Sequence, residues 1–177
     1  MSTLTARGGA STTVTTSGGT ITILIDSREQ TPWSFTGPSK RATLPVGDYT
    51  AAGFEDHICI ERKSLDDLCG CVTSERSRFK RMLARMEPYP CKKLIVECSL
   101  DDILQHRFKS NTSPSSIVGS LISWEEDFGI SVIYAGCHQE AAKYGERILN
   151  KAAMKVASEN SIGGFEGCEQ QRTANTC

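Results

Sequence analysis

Val46-Gly47-Asp48-Tyr49-Thr50-Ala51-Ala52 and His57-Ile58-Cys59-Ile60-Glu61-Arg62 both read as strands, with Gly53-Phe54-Glu55-Asp56 as the turn between them. A hairpin centred between Phe54 and Glu55 sets Asp48 directly opposite Glu61, with Cβ atoms about 4.5–5.5 Å apart. Two like charges in that position repel, so stability alone does not explain them. A shared cation does, because it turns repulsion into coordination. Along the second strand Glu61 and Lys63 are two residues apart and share a face, while Arg62 points to the other. Carboxylate oxygens suit a hard divalent ion, and an adjacent amine can activate water or neutralise charge at an attacked phosphate.

The flanking sequence adds to this. Ile21-Thr22-Ile23-Leu24-Ile25 is an apolar run that reads as a buried strand, and it ends in Asp26-Ser27-Arg28-Glu29. Charged residues at that end can join a site on the sheet edge. Downstream, Ser64-Leu65-Asp66-Asp67 has the pattern of a helix N-terminus, with Ser64 at the N-cap and Asp67 three residues on. Asp67 therefore has a structural explanation, besides any part in orienting Lys63 or Arg62.

The strings IDSRE, LPVGDY and ERKSLDDL together resemble the nuclease domain of the XPF family of structure-specific endonucleases. That family carries G-D-x(n)-E-R-K-x-x-x-D, which Gly47, Asp48, Glu61, Arg62, Lys63 and Asp67 match. The similarity extends from about Ile21 to about Ala157. It implies a restriction-endonuclease-like α/β fold, a mixed central sheet flanked by helices. It also implies dependence on Mg²⁺ or Mn²⁺, and incision of branched or flapped duplex DNA in repair, recombination or replication. On this resemblance Asp48, Glu61 and Asp26 are metal ligands and Lys63 assists the nucleophile. Arg28, Glu29, Arg62 and Asp67 complete the site. A site arginine is expected within Thr73–Phe79, and Arg78 fits better than Arg76 because Phe79 follows it. Two other readings stay open: an inactive DNA-binding partner subunit, against which the full set of acids and the lysine argues, and a Holliday-junction resolvase-like enzyme. About 20 residues after the last expected helix are too few for the tandem helix-hairpin-helix modules often found in the family.

The chain has 177 residues and a net charge of −1, so it is not basic as a whole. Its cations are unevenly spread. Between Glu61 and Lys93 nine Lys or Arg face five Asp or Glu, a local excess of +4 beside the expected site. The eight cysteines include no Cys-x-x-Cys pair, which argues against a zinc site. Reduced core cysteines, no secretory signal and no transmembrane run favour an intracellular compartment, either the cytoplasm of a microbe or virus-infected cell or a eukaryotic nucleus.

Residues 1–19 are rich in Ser, Thr and Gly and read as a disordered tail, with the domain proper at 20–157 and a second loose tail at 158–177. A helix from Ser74 to Glu87 has Phe79, Met82, Leu83 and Met86 as its core stripe. Arg78, Arg81 and Arg85 form a row on another face and, with Arg76, are the expected phosphate contacts to DNA. Lys93–Glu97 and Ile130–Tyr134 read as strands, Ser99 opens a short helix, and Pro114 at N1 starts a helix through Phe128. A last helix spans Gln139 to Ala157. The family resemblance implies that the region of about 115–157, with Ile133, Tyr134, Ile148, Leu149 and Met154, is a homodimer or heterodimer face, and no membrane contact is expected.

Overall fold

In this computed structural model residues 21–166 are described, with side chains through residue 160. The expected tail at 1–19 and the end of the tail at 158–177 lie outside them. Six strands form one mixed sheet in the order β2-β1-β3-β4-β5-β6. They are β1 (Ile23–Asp26), β2 (Ser39–Ala42), β3 (Tyr49–Ala51), β4 (Ile58–Lys63), β5 (Cys91–Val96) and β6 (Ser131–Tyr134). The helices are α1 (Leu65–Val72), α2 (Arg76–Met86), α3 (Leu100–Leu104), α4 (Pro114–Phe128) and α5 (His138–Glu166). β3 runs antiparallel to both β1 and β4, whereas β4, β5 and β6 are parallel. The carboxyl ends of β1, β4, β5 and β6 therefore gather at one edge of the sheet.

Each face of the sheet has its own core. On one side Cys59, Leu94 and Val96 pack with Leu68 of α1, Phe79, Leu83 and Met86 of α2, and Ile117, Leu121 and Trp124 of α4. On the other, Ile23, Ile25, Tyr49, Ile58, Ile60 and Ile95 pack with Ala141, Leu149 and Ala153 of α5. The period-two alternation along β4 sends Cys59 to the first core and Ile58 and Ile60 to the second. Trp33 stacks flat on Tyr49 with ring centroids 4.2 Å apart, and closes the second core over Gly145. A Cβ at Gly145 would stand 2.5 Å from the Trp33 ring, so only glycine lets the indole reach α5.

The capping expectations hold. Ser64 Oγ accepts from the Asp67 N–H at 3.1 Å, and Ser99 with Asp102 forms a full capping box. Pro114 opens α4, and Gly129 closes it in the left-handed conformation at φ +60°. Four differences stand out. β2 was not anticipated, because Ser39-Lys40-Arg41-Ala42 is a short polar edge strand with no apolar signal. α2 begins at Arg76 rather than Ser74. α5 continues through Glu166, past the boundary drawn at 158. Of the residues assigned to a dimer face, Leu149 is fully buried within the chain, Ile133, Tyr134 and Ile148 pack in part against the two cores, and Met154 is exposed. Among the described residues no helix is long and apolar enough to cross a membrane.

Candidate active site

The hairpin register matches the expected one. Tyr49 pairs with Ile60, and Asp48, just before β3, lies close enough to Glu61 for the two charges to interact. Gly47 makes this placement possible. It has φ +74°, and a Cβ there would lie 2.5 Å from Cys59 Sγ and 3.0 Å from the Ile60 carbonyl oxygen. With that space left open, the Asp48 N–H donates to the Ile60 carbonyl at 2.8 Å, and the Asp48 carboxylate turns toward β4.

Asp48 Oδ2 accepts from the Arg62 N–H at 2.8 Å, and nothing among the described residues bonds Oδ1. Glu61 is buried; its Oε1 accepts from Lys63 Nζ, and Oε2 is likewise free among the described residues. Burial pushes the Asp48 carboxyl up to about 7, the Glu61 charge adds to that, and the Arg62 N–H and Lys63 oppose it. Burial alone would lower the Lys63 ammonium. The charge and hydrogen bond of Glu61 outweigh it, so Lys63 stays charged above its usual range. A crowded pair of carboxylates with two uncommitted oxygens, one carboxyl pushed upward by burial and by its neighbour's charge, is an arrangement that a divalent cation would relieve. Among the described residues no three His, Cys, Asp or Glu side chains converge as a ready-made cage. The donor set nonetheless fits Mg²⁺, which takes one or two carboxylates and completes its shell with water and phosphate oxygens.

Asp26, expected as a metal ligand, is held by its neighbours. Arg28 grips its carboxylate in a fork, Nε to Oδ1 at 2.7 Å and Nη2 to Oδ2 at 2.9 Å, and the N–H groups of Arg28 and Leu44 add bonds at 2.8 Å each. The Arg28 side-chain bonds come first in holding Asp26 down at about 2, against its burial. Its oxygens are committed to these four donors, and it braces the loop that carries Arg28. The Arg28 side chain is two-thirds exposed and lines the same cleft as Asp48 and Glu61, a volume of about 560 Å³. Glu29 also borders this cleft; its carboxylate accepts from Thr31 and lies 3.6 Å from Arg62.

Arg62 points to the opposite face, as the alternation requires. Its guanidinium makes a two-pronged bond to Glu97 at 2.7 and 2.6 Å. Glu97, which from the sequence could face the site or serve the structure, lies on the Arg62 side of the sheet. It lies one position past β5, where nothing local distinguishes it from a surface acid. Asp67 accepts from Ser64 Oγ at 2.7 Å and lines a smaller pocket of about 330 Å³ next to Glu61 and Lys63, without bonding to Lys63 or Arg62.

The arginine row divides. Arg78, Arg81 and Arg85 border the cleft, with Arg85 bonded to the Pro45 carbonyl. Arg76 is turned away from it: Nη1 donates to the buried Ser120 Oγ at 2.7 Å and ties α2 to α4. Arg78 thus borders the cleft and Arg76 does not. The physical reason is helical phase. Arg76 lies two residues before Arg78, which puts it on a different face of α2.

Fold and site together define a nuclease-type domain, in which paired acids and an amine sit at the edge of a mixed sheet. The ERCC4 domain family model matches residues 25–148, and the chain belongs to that family. Among solved structures it resembles XPF from Aeropyrum pernix, at 18% identity and TM-score 0.59, over 80% of this chain and 69% of that one. The same protein in complex with DNA matches at 21% identity and TM-score 0.61, over 78% of this chain and 66% of that one. No curated protein matches the chain.

Proposed function

We propose that this chain is a metal-dependent endonuclease that hydrolyses phosphodiesters in branched or flapped DNA. The observation that carries the proposal is the Asp48–Glu61 pair: two crowded carboxylates, each with an oxygen that no other described residue uses, opening on a cleft bordered by arginines. Membership of the ERCC4 family supports DNA as substrate. Asp48 and Glu61 would hold Mg²⁺ or Mn²⁺, which when bound polarises the scissile phosphate and lowers the pKa of a water. Lys63 is held charged by Glu61, so its part is to stabilise negative charge building on the phosphate rather than to remove a proton. Arg28, fixed by Asp26, offers a second positive group on the other side of the cleft. Arg78, Arg81 and Arg85 would bind backbone phosphates and align the duplex without reading its sequence.

Self-association through about 115–157 is part of the proposal, since Ile122 and Met154 leave apolar surface open there. The deciding experiment is a cleavage panel of labelled flap, fork, four-way junction and linear duplex DNAs with Mg²⁺, with and without EDTA. Incision of flap and fork that EDTA abolishes is expected. Failure to cut any substrate in Mg²⁺ or Mn²⁺ would refute the proposal, and preference for the four-way junction would redirect it to a resolvase.

A further inference from the structure

Glu97 follows β5 on the side of the sheet away from the Asp48–Glu61 pair. Only 7% of its side chain is exposed, yet donors from three separate parts of the chain converge on it. Oε1 accepts from Arg62 Nε at 2.7 Å, Trp33 Nε1 at 2.8 Å and His138 Nδ1 at 2.7 Å, and Oε2 accepts from Arg62 Nη2 at 2.6 Å. These donors pull Glu97 below the usual carboxylate range, against its burial. The loop before β2, strand β4 and the first residue of α5 are thereby tied to a single carboxylate.

Net stability is a poor explanation for such a cluster, because removing charges from water cancels most of the gain from pairing them. What the cluster does supply is a fixed position for Arg62. The guanidinium is 10% exposed, with Glu97 bonded to it in two places and Glu29 3.6 Å away. Arg62 lies between Glu61 and Lys63, and its own N–H donates to Asp48 Oδ2. Any rotation of β4 at Arg62 would therefore move all three members of the site on the far face.

We propose that Glu97 is a positioning residue for the Asp48–Glu61–Lys63 site. From the α5 side it anchors the Arg62 side chain, and so fixes both the strand from which Glu61 and Lys63 project and the N–H that orients Asp48. His138 and Trp33 hold Glu97 in turn. This inference rests on the nuclease reading of the same site.

The test compares wild type with Glu97→Gln and His138→Ala. Three readouts are used: steady-state cleavage of a flap DNA, calorimetric titration with Mn²⁺ alone, and the Arg62 N–H resonance of the metal-free protein. For Glu97→Gln, kcat should fall about 10–100-fold with KM for DNA unchanged, and Mn²⁺ affinity should fall by a similar factor, as when a group supporting metal ligands is lost. The Arg62 N–H signal should shift. For His138→Ala, at a half-buried position, the same changes should appear in the same direction and at smaller size. A residue that merely supports the fold would lower the unfolding temperature and leave kcat per folded molecule, Mn²⁺ affinity and the Arg62 signal in place; that result overturns the proposal. Should Glu97→Gln fail to fold, His138→Ala decides by the same criteria. Should wild type cut no DNA, the nuclease reading fails, and Mn²⁺ binding with the Arg62 signal still decides the role of Glu97. No Mn²⁺ binding by wild type would overturn both.

Discussion

Asp26 and Asp48 sit at neighbouring ends of adjacent strands, and the chain treats them in opposite ways. The end of β1 saturates its aspartate: four hydrogen bonds, three of them from Arg28, hold the carboxyl near 2. The segment before β3 leaves its aspartate short of partners: it has one backbone donor, and burial with the Glu61 charge raises its carboxyl to about 7. A satisfied carboxylate serves as a brace. A frustrated one is available to an incoming cation. The contrast separates two acids that motif matching alone would treat as equivalent ligands.

The most severe test of this contrast is Asp48→Asn. Cutting should fall by at least about 10³-fold, on the order expected when a group that stabilises transition-state charge is removed. In EDTA the unfolding temperature should hold or rise, because the repulsion with Glu61 is gone. A protein that loses stability while keeping activity would reverse the assignment. The pH dependence carries the same sign. In metal-free protein the raised Asp48 carboxyl favours folding at acidic pH, and that contribution is lost as pH rises from about 4 to about 7. Titrations at pH 6 and pH 8 should accordingly show tighter Mn²⁺ binding at the higher value.

Next in size is Gly47→Ala. The added methyl meets Cys59 Sγ and a strand carbonyl at a position of positive φ, so a loss of about 2–3 kcal/mol is expected by denaturant unfolding, together with loss of cutting. Retained activity would mean that the Gly47 backbone conformation does not set Asp48. Asp26 should behave as the mirror image of Asp48. Its lowered carboxyl contributes up to about 2 kcal/mol at neutral pH, present above about pH 4 and lost as pH falls toward 2. Acid unfolding of Asp26→Asn should lack that component.

The smallest effects sharpen the division within α2. Arg81→Ala should weaken DNA binding and reduce the salt-dependence slope by about one. Arg76→Ala should leave both unchanged and cost about 1 kcal/mol of stability through the lost bond to Ser120. The two variants can be compared by fluorescence anisotropy with a labelled flap across a salt series.

Much of the fold could be read in advance because its signals are local. The apolar runs at Ile23, Ile58, Leu94 and Ile130, the caps at Ser64, Ser99 and Ser113, and the stripe of Phe79, Leu83 and Met86 all act within a few residues of themselves. The opposition of Asp48 and Glu61 was also legible, since a short turn fixes register. β2 was not, because a polar edge strand is held by its neighbour's hydrogen bonds and carries no hydrophobic pattern. Nor was Arg76, whose partner Ser120 lies 44 residues away.

By itself, then, the sequence determined the mixed α/β class, the facing acids, the lysine beside them and the alternation that sends Arg62 elsewhere. Only the tertiary structure decided which acid is saturated and which is left wanting. It also decided which arginines border the cleft, and that Glu97 collects Arg62, Trp33 and His138. The reason is range: propensity, capping and alternation are set by neighbours along the chain, whereas the charge state and reach of a buried side chain depend on groups that only the closed fold brings within about 3 Å.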